Sequence, residues 1–239
     1  MHEFLSCLLL SLNEDINTAP KFDQPMDSSL INTDQHRVDK LQYFRACKAA
    51  LEERDKSLIT DMFQGIIGDC ITCQTCFRPK VRYETELILS LPLGDQAQLQ
   101  QRSFSRRSMQ RPLSLAAGGT PSRQVQDKNL NRVSFEECLS KFFELETLPE
   151  SELLQCDTCR KKRNVSKQTE IYSLPKILVI HLKRFVFSER HMDFAKIDDI
   201  VEIKPKLQLP CRQQNRTGDY HLYGIVHHYG TKSNGHYIA

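Results

Sequence analysis

The sequence lacks long apolar runs, a strong net charge and an export signal. A bilayer-spanning helix needs about 20 consecutive apolar residues, whereas purely apolar stretches such as Ile177 to Ile180 extend over only a few positions. The formal net charge of the 239 residues is +3, which is too small to indicate a nucleic-acid partner by itself. The N-terminal segment MHEFLSCLLLSLNED has no basic leader and no small-residue cleavage site, so we interpret it as a mature helix. We expect a globular protein without a membrane span.

Cysteine is present in an odd number, nine, and five of the nine lie in two clusters. Because no export signal precedes them, we expect a reducing compartment, the cytosol or the nucleus, in which disulfides are rare. Clustered cysteines in such a compartment indicate a metal site or catalysis. Their positions are 7, 47, 70, 73, 76, 138, 156, 159 and 211.

Three segments carry the pattern of helices. Apolar side chains recur at helical spacing in residues 1–15 and again from about 36 to 64, which predicts apolar helical faces. Ser134 and Glu137 have the spacing of a capping box at the start of a third helix. Cys138 lies on that helix, where we expect it to be buried as a small apolar side chain.

Other segments carry the pattern of strands. Between Lys80 and Leu91 apolar residues alternate with others, which predicts one strand that ends at Pro92. Beyond Cys159 the strands follow one another without intervening helices, which predicts antiparallel pairing. The predicted strands of this part are 165–172, Lys176–Phe187, Ile200–Ile203, Tyr220–Tyr229 and a last one that begins at His236.

Segment 94–132 differs in composition from the rest of the chain. It is rich in Ser, Arg, Gln and Gly, and it carries seven Arg or Lys against two Asp, a net charge of +5. The remaining residues therefore carry −2, because the whole chain carries +3. This composition predicts a disordered basic insertion, which we interpret as a solvated linker.

Two CxxC pairs are the strongest chemical signal in the sequence. The second cysteine of one pair and the first of the other are 80 residues apart. A CxxC turn directs two thiolates to one point about 2.3 Å from a zinc ion, and two such turns complete a tetrahedron. Strand-like segments follow both pairs, so each pair is expected at a hairpin tip. The pattern predicts a structural zinc site formed by Cys73, Cys76, Cys156 and Cys159.

The register of the first pair has an alternative, because Cys70 and Cys73 also form a CxxC. We favour Cys73 and Cys76 because the following strand then starts at the right distance, although the sequence leaves the choice between Cys70 and Cys76 open. The basic run Arg160 to Arg163 lies beside the second pair. Such a run is typical of a solvated hairpin tip, and zinc ribbons sometimes use one to contact nucleic acid.

A histidine near the C-terminus is the candidate general base. The segment Gly230 to Gly235 is a short polar turn between two predicted strands, so His236 starts a strand. Gly235 before it lets another chain approach closely. This position suits a general base that faces a cleft. Taken alone, however, a histidine at a strand end is more often structural.

Several motifs, in the correct order, resemble the ubiquitin-specific proteases, a family of papain-like cysteine deubiquitinases. The C-terminal YHLYGIVHHYGTKSNGHYIA is similar to the histidine box of that family, and LPKILVIHLKRF (174–185) is similar to its palm strand. HEFL (2–5) resembles the end of its Gln-Asp-Ala-x-Glu-Phe box, and YETELILSLPL (83–93) resembles the strand after its first zinc knuckle. With the CxxC pairs, these motifs cover nearly the whole chain outside 94–132.

The resemblance implies an α+β hand fold with a partial helical thumb, an antiparallel palm sheet and zinc-tipped fingers that hold ubiquitin. It implies hydrolysis of the isopeptide bond after the C-terminal glycine of ubiquitin, with ubiquitin and ubiquitinated proteins as partners. In that chemistry a cysteine thiolate attacks the carbonyl, a histidine transfers the proton, and an Asp or Asn orients the imidazole. His236 matches the catalytic histidine, and the four cysteines of the CxxC pairs match the zinc ligands.

The same resemblance implies an incomplete catalytic domain. The family's nucleophile lies in an Asn-x-x-Cys box upstream of the Glu-Phe box with which the sequence begins, and its Asp or Asn lies beyond Tyr237 and Ala239. We expect Cys7 to be buried in the first helix with a raised thiol pKa, Cys47 to lie in a charged helix, and Cys211 to be exposed on a loop. None of these is expected to be catalytic.

An incomplete domain also predicts exposed apolar surface on the first helix (Phe4, Leu8) and on the strand Lys176–Phe187.

Two functions of different class remain open. One is a part of an active deubiquitinase, and the other is a non-catalytic protein that binds ubiquitin in a regulatory role. A zinc-ribbon nucleic-acid binder is a third interpretation, motivated by the basic residues.

Overall fold

The structure, a computed structural model, describes residues 2–20, 40–94, 131–188, 192–213, 216–231 and 234–239. The α-helices in these ranges are α1 (His2–Ile16), α2 (Lys40–Arg54), α3 (Leu58–Phe63) and α4 (Phe135–Phe142). The strands before residue 160 are β1 (Gly65–Cys73), β2 (Pro79–Glu86), β3 (Leu89–Pro92), β4 (Arg132–Ser134), β5 (Glu146–Thr147) and β6 (Leu154–Cys156). A short 3-10 helix, Glu150–Glu152, precedes β6.

Ten further strands follow, and they account for most of the C-terminal part. They are β7 (Lys161–Arg163), β8 (Val165–Ser173), β9 (Ile180–Lys183), β10 (Phe185–Ser188), β11 (Asp193–Lys196), β12 (Ile200–Glu202), β13 (Lys206–Cys211), β14 (Arg216–His221), β15 (His227–Gly230) and β16 (Gly235–Ile238). The mixture of a few helices with many strands agrees with the expected α+β class.

The first of two compact units comprises Met1–Leu89, Phe143–His181 and Lys206–His221. Its main sheet has four antiparallel strands in the order β2-β1-β8-β5. Strand β1 pairs with β2 along most of its length and with β8 as far as the Cys73↔Val165 pair. The β6–β7 hairpin and the antiparallel pair β13–β14 belong to the same unit.

Aromatic side chains form the core of this unit. Phe44 of α2 is fully buried, and its ring centroid lies 5.2 Å from that of Tyr83 and 5.1 Å from that of Tyr172. Ile66 of β1 and Leu51 of α2 pack into the same cluster. The sheet and α2 therefore share one apolar core.

Helix α1 is held by polar side chains. Asn13 is buried, donates to Asp55 Oδ1 at 2.7 Å, and accepts a short hydrogen bond from the Ser57 hydroxyl. Ser57 is also the N-cap of α3, where it forms a capping box with Thr60. The turn between α2 and α3 is thus tied to α1 by bonds between side chains.

The helix predicted at the N-terminus is confirmed, and one of its faces is covered. The helix buries Leu9 and Asn13, whereas Phe4 and Leu8 are 65% and 42% exposed. The expected exposure of apolar surface is confirmed here, and also at Phe185 and Phe187 of the segment Lys176–Phe187. The prediction that Cys7 is buried was wrong: its residue is exposed, because it does not share the face of Leu9 and Asn13.

The second unit comprises Ser90–Phe142, Leu182–Pro205 and Leu222–Ala239. It contains the antiparallel hairpins β10–β11 and β15–β16 and one parallel pair, β4–β12. The predicted capping box of α4 is confirmed, because the Ser134 hydroxyl accepts from the Glu137 amide at 3.1 Å and the Glu137 carboxylate accepts from the Ser134 amide at 2.8 Å. Cys138 is fully buried, as expected.

Two long predicted strands are each divided in two. The run Lys80–Leu91 becomes β2 and β3, because β2 pairs with β1 whereas β3 pairs with β9. In the run Lys176–Phe187 the strand begins only at Ile180, and Arg184 separates β9 from β10. The division has the same cause, because β9 pairs with β3 whereas β10 pairs with β11. At the residue between them the Arg184 amide donates back to the Leu182 carbonyl at 2.8 Å.

The predicted strand Tyr220–Tyr229 is also interrupted, since β14 ends at His221 and β15 begins at His227. Strand β13 was not predicted, because Pro210 indicated a loop. Proline is tolerated there because β13 pairs with β14 in a two-stranded sheet and so lies at an edge. Pairing makes Cys211 a buried strand residue whose thiol donates to the Tyr172 carbonyl, and the prediction of an exposed thiol was wrong.

The basic insertion and the absence of a membrane span are the two remaining expectations from the sequence. The predicted insertion 94–132 lies outside the described residues apart from its ends, of which Arg132 already belongs to β4. Among the described residues no helix is both long enough and apolar enough to cross a membrane.

Phe44→Ala is expected to lower the free energy of unfolding by about 3–5 kcal/mol, because it removes a fully buried aromatic side chain. The matched control is Phe4→Ala at an exposed site, for which a change within about 0.5 kcal/mol is expected. Urea unfolding followed by circular dichroism measures both. Equal effects of the two substitutions would contradict the assignment of the core.

Candidate functional site

Four cysteine sulfurs converge in the first unit. The sulfur atoms of Cys73, Cys76, Cys156 and Cys159 all lie within 4.8 Å of one another. The Sγ atoms of Cys76 and Cys156 are 3.7 Å apart. Four sulfurs at about 2.3 Å from a central zinc ion would be about 3.8 Å apart in a tetrahedron. The spacing therefore fits a single metal ion of this kind.

The two CxxC turns have the same backbone geometry. The amide of Phe77 donates to the Cys73 carbonyl, and the amide of Arg160 donates to the Cys156 carbonyl, each at 2.8 Å. Both Phe77 and Arg160 have left-handed backbones, with φ of 58° and 52°. The first turn closes the β1–β2 hairpin and the second closes the β6–β7 hairpin, so the predicted positions at hairpin tips are confirmed.

Backbone amides point at the sulfurs, as a site for thiolates requires. The Thr75 amide lies 3.5 Å from the Cys73 Sγ, and the Cys159 amide lies 3.4 Å from the Cys156 Sγ. A hydrogen bond from the Cys76 backbone is the largest cause that lowers the pKa of Cys73, to about 6. Burial, with hydrogen bonds to the other sulfurs, raises the pKa of Cys159 to about 12. The raised pKa of Cys159 reflects the cost of bringing four thiolates together without a cation between them.

Cys70 is not a member of the sulfur group. It lies within β1, opposite Val81 of β2, and is half-buried. Of the two alternative CxxC pairs, the structure thus places the sulfurs of Cys73 and Cys76, and not that of Cys70, beside those of the second pair. Arg160 and the two lysines that follow it are exposed, which agrees with a solvated hairpin tip.

His236 lies in the second unit, on β16 directly after the turn of the β15–β16 hairpin. It is opposite Tyr229 of β15, and its residue is exposed. Neighbouring residues of a strand face opposite sides, so Gly235 and Tyr237 present the other face of the hairpin. The histidine is therefore displayed by a two-stranded ribbon and not buried in a core.

Gly235 is required by a close approach, but the group that approaches belongs to the same hairpin and not to another chain. A Cβ atom at this position would clash with the imidazole of His228 and with the Tyr229 carbonyl. The His228 ring also stacks on Tyr237, with ring centroids 4.6 Å apart and planes 29° apart. The approaching group is thus a side chain of the same hairpin, and His228 is a residue whose role the sequence did not reveal.

His228 remains neutral more readily than an ordinary histidine. Burial is the largest cause that lowers its pKa, and the positive charge of Lys196 lowers it further. Its Nδ1 atom is buried without a hydrogen-bond partner in the described structure. A neutral, stacked imidazole suits a structural role beneath Gly235 and Tyr237 rather than proton transfer.

The other cysteines are poorly placed for nucleophilic catalysis. Cys47 and Cys138 are buried, and burial raises the pKa of both thiols. Cys211 is buried and hydrogen-bonded, as described above. Cys7 is exposed on α1. The second unit, which contains His236, has Cys138 as its one cysteine in the sequence.

The amino-acid sequence is similar to a known protein family and to individual proteins of that family. Residues 1–239 match the family profile described as "Ubiquitin carboxyl-terminal hydrolase". The chain is similar to ubiquitin carboxyl-terminal hydrolase 4 of Saccharomyces cerevisiae strain YJM789, with 27% identity over 99% of this chain and 24% of that protein. The enzyme of the same name from Rattus norvegicus is 36% identical over 50% of this chain and 13% of that protein. The chain thus spans about a quarter or less of the length of these relatives.

Solved structures with a similar fold include the SAGA DUB module of Ubp8, Sgf11, Sus1 and Sgf73 bound to monoubiquitin. That structure has a TM-score of 0.53 and 26% identity and covers 76% of this chain and 33% of the neighbour. Another structure of the module, with a variant Ubp8, has a TM-score of 0.57 and 22% identity, and it covers 99% of this chain and 41% of the neighbour. The α+β hand fold expected from the sequence is confirmed by these neighbours.

Cys76→Ser is expected to reduce the zinc bound by the purified chain from about one ion to well below half, because one of four thiolates is lost. Cys70→Ser, the matched control, should retain the full zinc content. Metal analysis after dialysis measures both. Loss of zinc from Cys70→Ser with retention in Cys76→Ser would assign the other register.

Proposed function

Because the chain belongs to the ubiquitin carboxyl-terminal hydrolase family, we propose that it is the ubiquitin-holding and histidine-bearing part of a cysteine-type deubiquitinase. In this proposal residues 1–239 form a partial catalytic domain, with 94–132 as a disordered basic insertion. The reaction is hydrolysis of the isopeptide bond after the C-terminal glycine of ubiquitin. The substrates are ubiquitinated proteins.

The hairpin that displays His236 is the observation that carries the proposal. The imidazole is exposed on one face, while the stack of His228 on Tyr237 and the absence of a Cβ at Gly235 define the other face. A general base must reach the proton that it removes, so exposure on a defined ribbon suits this role. His236 would take the proton of a cysteine thiol and later return it to the leaving lysine amine.

We propose a structural role for the sulfur group. Cys73, Cys76, Cys156 and Cys159 would hold one zinc ion, which fills its coordination sphere with four thiolates and supplies a cross-link rather than chemistry. The 3.7 Å separation of two of the sulfurs and the amides directed at them support this assignment.

Ubiquitin is the proposed partner. A neighbour with 26% identity was solved with monoubiquitin, and another structure of that module contains ubiquitin aldehyde. All nine cysteines of the chain are free, which supports a reducing compartment, and we propose the cytosol or the nucleus.

We further propose that these 239 residues do not hydrolyse ubiquitin conjugates by themselves. Four of the cysteines form the sulfur group, three are buried, Cys70 is half-buried within β1, and Cys7 is an exposed residue of α1 that follows Phe4-Leu5-Ser6 rather than an Asn-x-x sequence. The nucleophile would come from an upstream segment with an Asn-x-x-Cys box. The same observation favours the alternative function, a non-catalytic regulatory fragment that binds ubiquitin.

A ubiquitin probe with a C-terminal electrophile tests the predicted inactivity. We expect no cysteine of the chain to be labelled, because Cys7, the exposed cysteine, does not lie in an Asn-x-x-Cys sequence. Mass spectrometry of the reaction detects any adduct. Covalent labelling at Cys7 or Cys211 would contradict the assignment.

Titration of ¹⁵N-labelled ubiquitin with the chain tests binding in a separate experiment. Unchanged ubiquitin spectra would favour the nucleic-acid interpretation of the basic residues.

The role of His236 is tested by joining the chain to an upstream segment that carries an Asn-x-x-Cys box. His236→Gln is expected to lower kcat for a fluorogenic ubiquitin amide by at least about a hundredfold, as removal of a general base does. His227→Gln, on the same hairpin and also exposed, is the matched control and should change kcat little. Equal losses from the two substitutions would exclude a specific role for His236.

A further inference from the structure

Lys196 is an almost buried lysine at the end of β11. Its side chain is 12% exposed. The ammonium donates to the carbonyl oxygens of His228, at 3.1 Å, and Gly230, at 3.0 Å, and it forms an ion pair with Asp198 at 3.1 Å. A lysine ammonium has three donors, so each of them has an acceptor.

The two carbonyl groups that bind Lys196 belong to the strand opposite the candidate catalytic histidine. His228 and Gly230 are the neighbours of Tyr229 in β15, and Tyr229 is the cross-strand partner of His236. Alternate carbonyls of a strand point the same way, which allows one ammonium to bond to both. Lys196 therefore holds the segment of β15 to which His236 is paired.

The support from which Lys196 acts is itself fixed. Lys196 pairs with Phe185 across the β10–β11 hairpin, and the Phe185 ring lies 5.9 Å from the His228 ring. The residues that follow β11 are held by Arg184, whose guanidinium donates to the carbonyls of Ile197 and Asp199 at 3.1 Å and 2.8 Å. Lys196 thus lies on the β10–β11 hairpin, and the guanidinium of Arg184 fixes the residues that follow this hairpin.

The histidine hairpin needs such support. Strands β15 and β16 form a two-stranded sheet, and an isolated pair of strands is at best marginally stable in water. Hydrogen bonds to a charged donor are stronger than those between neutral groups. Two of them at successive alternate carbonyls oppose both fraying and rotation of the ribbon.

We propose that Lys196 is a positioning residue for His236: it fixes the β15–β16 hairpin, and through the Tyr229–His236 pair it fixes the place of the imidazole. Lys196 does not contact the reacting atoms. We call the two hydrogen bonds from Lys196 to the carbonyls of His228 and Gly230 the clamp. The clamp is a property of the described contacts, and the inference rests on the proposed function only in calling His236 the general base.

Lys196→Met tests the clamp in the whole chain, because methionine keeps the apolar stem and removes the three donors. We expect amide hydrogen exchange in residues 227–238 to be accelerated about tenfold or more, the factor that corresponds to about 1.4 kcal/mol and so to one hydrogen bond of a charged group. The His236 imidazole signal in NMR spectra should shift or broaden. Lys196→Arg, which retains charge and donors, should restore most of the protection and the imidazole signal.

The matched control is Lys204→Met, which removes an exposed lysine of the same unit that pairs with Glu136. It should leave exchange in 227–238 unchanged. If Lys196→Met loses cooperative unfolding, Lys196→Gln is measured in the same way, since it keeps one amide donor and loses the charge. Equal exchange in the Lys196 variant and the wild-type chain would overturn the proposal, as would failure of Lys196→Arg to restore protection.

Activity in the chain joined to an upstream nucleophile separates the two proposals. If both hold, Lys196→Met lowers kcat more than it changes KM. Should His236→Gln leave kcat unchanged while Lys196→Met still accelerates exchange, the clamp stands as a structural fact and the general-base assignment fails. That outcome overturns the positioning role in catalysis.

Discussion

The convergence of four sulfurs on one point is the constraint on which the first unit most depends. Strands β1 and β2 are already part of a four-stranded sheet, but β6 and β7 form a two-stranded hairpin. Near the sulfur group the Gln74 amide, just after β1, donates to the carbonyl of Asn164, just after β7, and Lys80 of β2 forms an exposed ion pair with Asp157 of the hairpin turn. Exposed ion pairs contribute about 0–1 kcal/mol. The metal proposed for the four sulfurs would therefore add a much stronger link between the hairpin and the sheet.

The same argument accounts for the left-handed residues at the tips. Phe77 and Arg160 adopt a backbone that costs roughly 1–2 kcal/mol for residues other than glycine. Both occur one residue after a CxxC pair, with the same amide-to-carbonyl bond. Two separate turns share this unfavourable conformation because each must direct two sulfurs to one side, and the metal cross-link would offset its cost.

Sequence predicted the features that depend on local spacing. The capping box at Ser134, the two hairpin tips and the burial of Cys138 follow from residues a few positions apart, and all are confirmed. The errors arise where a distant partner decides. The run Lys176–Phe187 is divided at Arg184 because β9 pairs with β3 whereas β10 pairs with β11, and Cys211 is buried because β13 pairs with β14. Apolar periodicity around Cys7 could not show which face of α1 is covered, since apolar residues occur on more than one face.

The two sites differ for the same physical reason. Every cysteine of the sulfur group belongs to a short motif, so the sequence predicts the group even though 80 residues separate its halves. The place of His236 depends instead on His228, which fills the space that Gly235 leaves open, and on Lys196, which belongs to another hairpin. Lys196 belongs to no recognisable sequence motif. Its proposed role follows only from its hydrogen bonds to the carbonyl oxygens of His228 and Gly230. A histidine box therefore predicts the candidate base, whereas the contacts that determine its position become visible only in the folded chain.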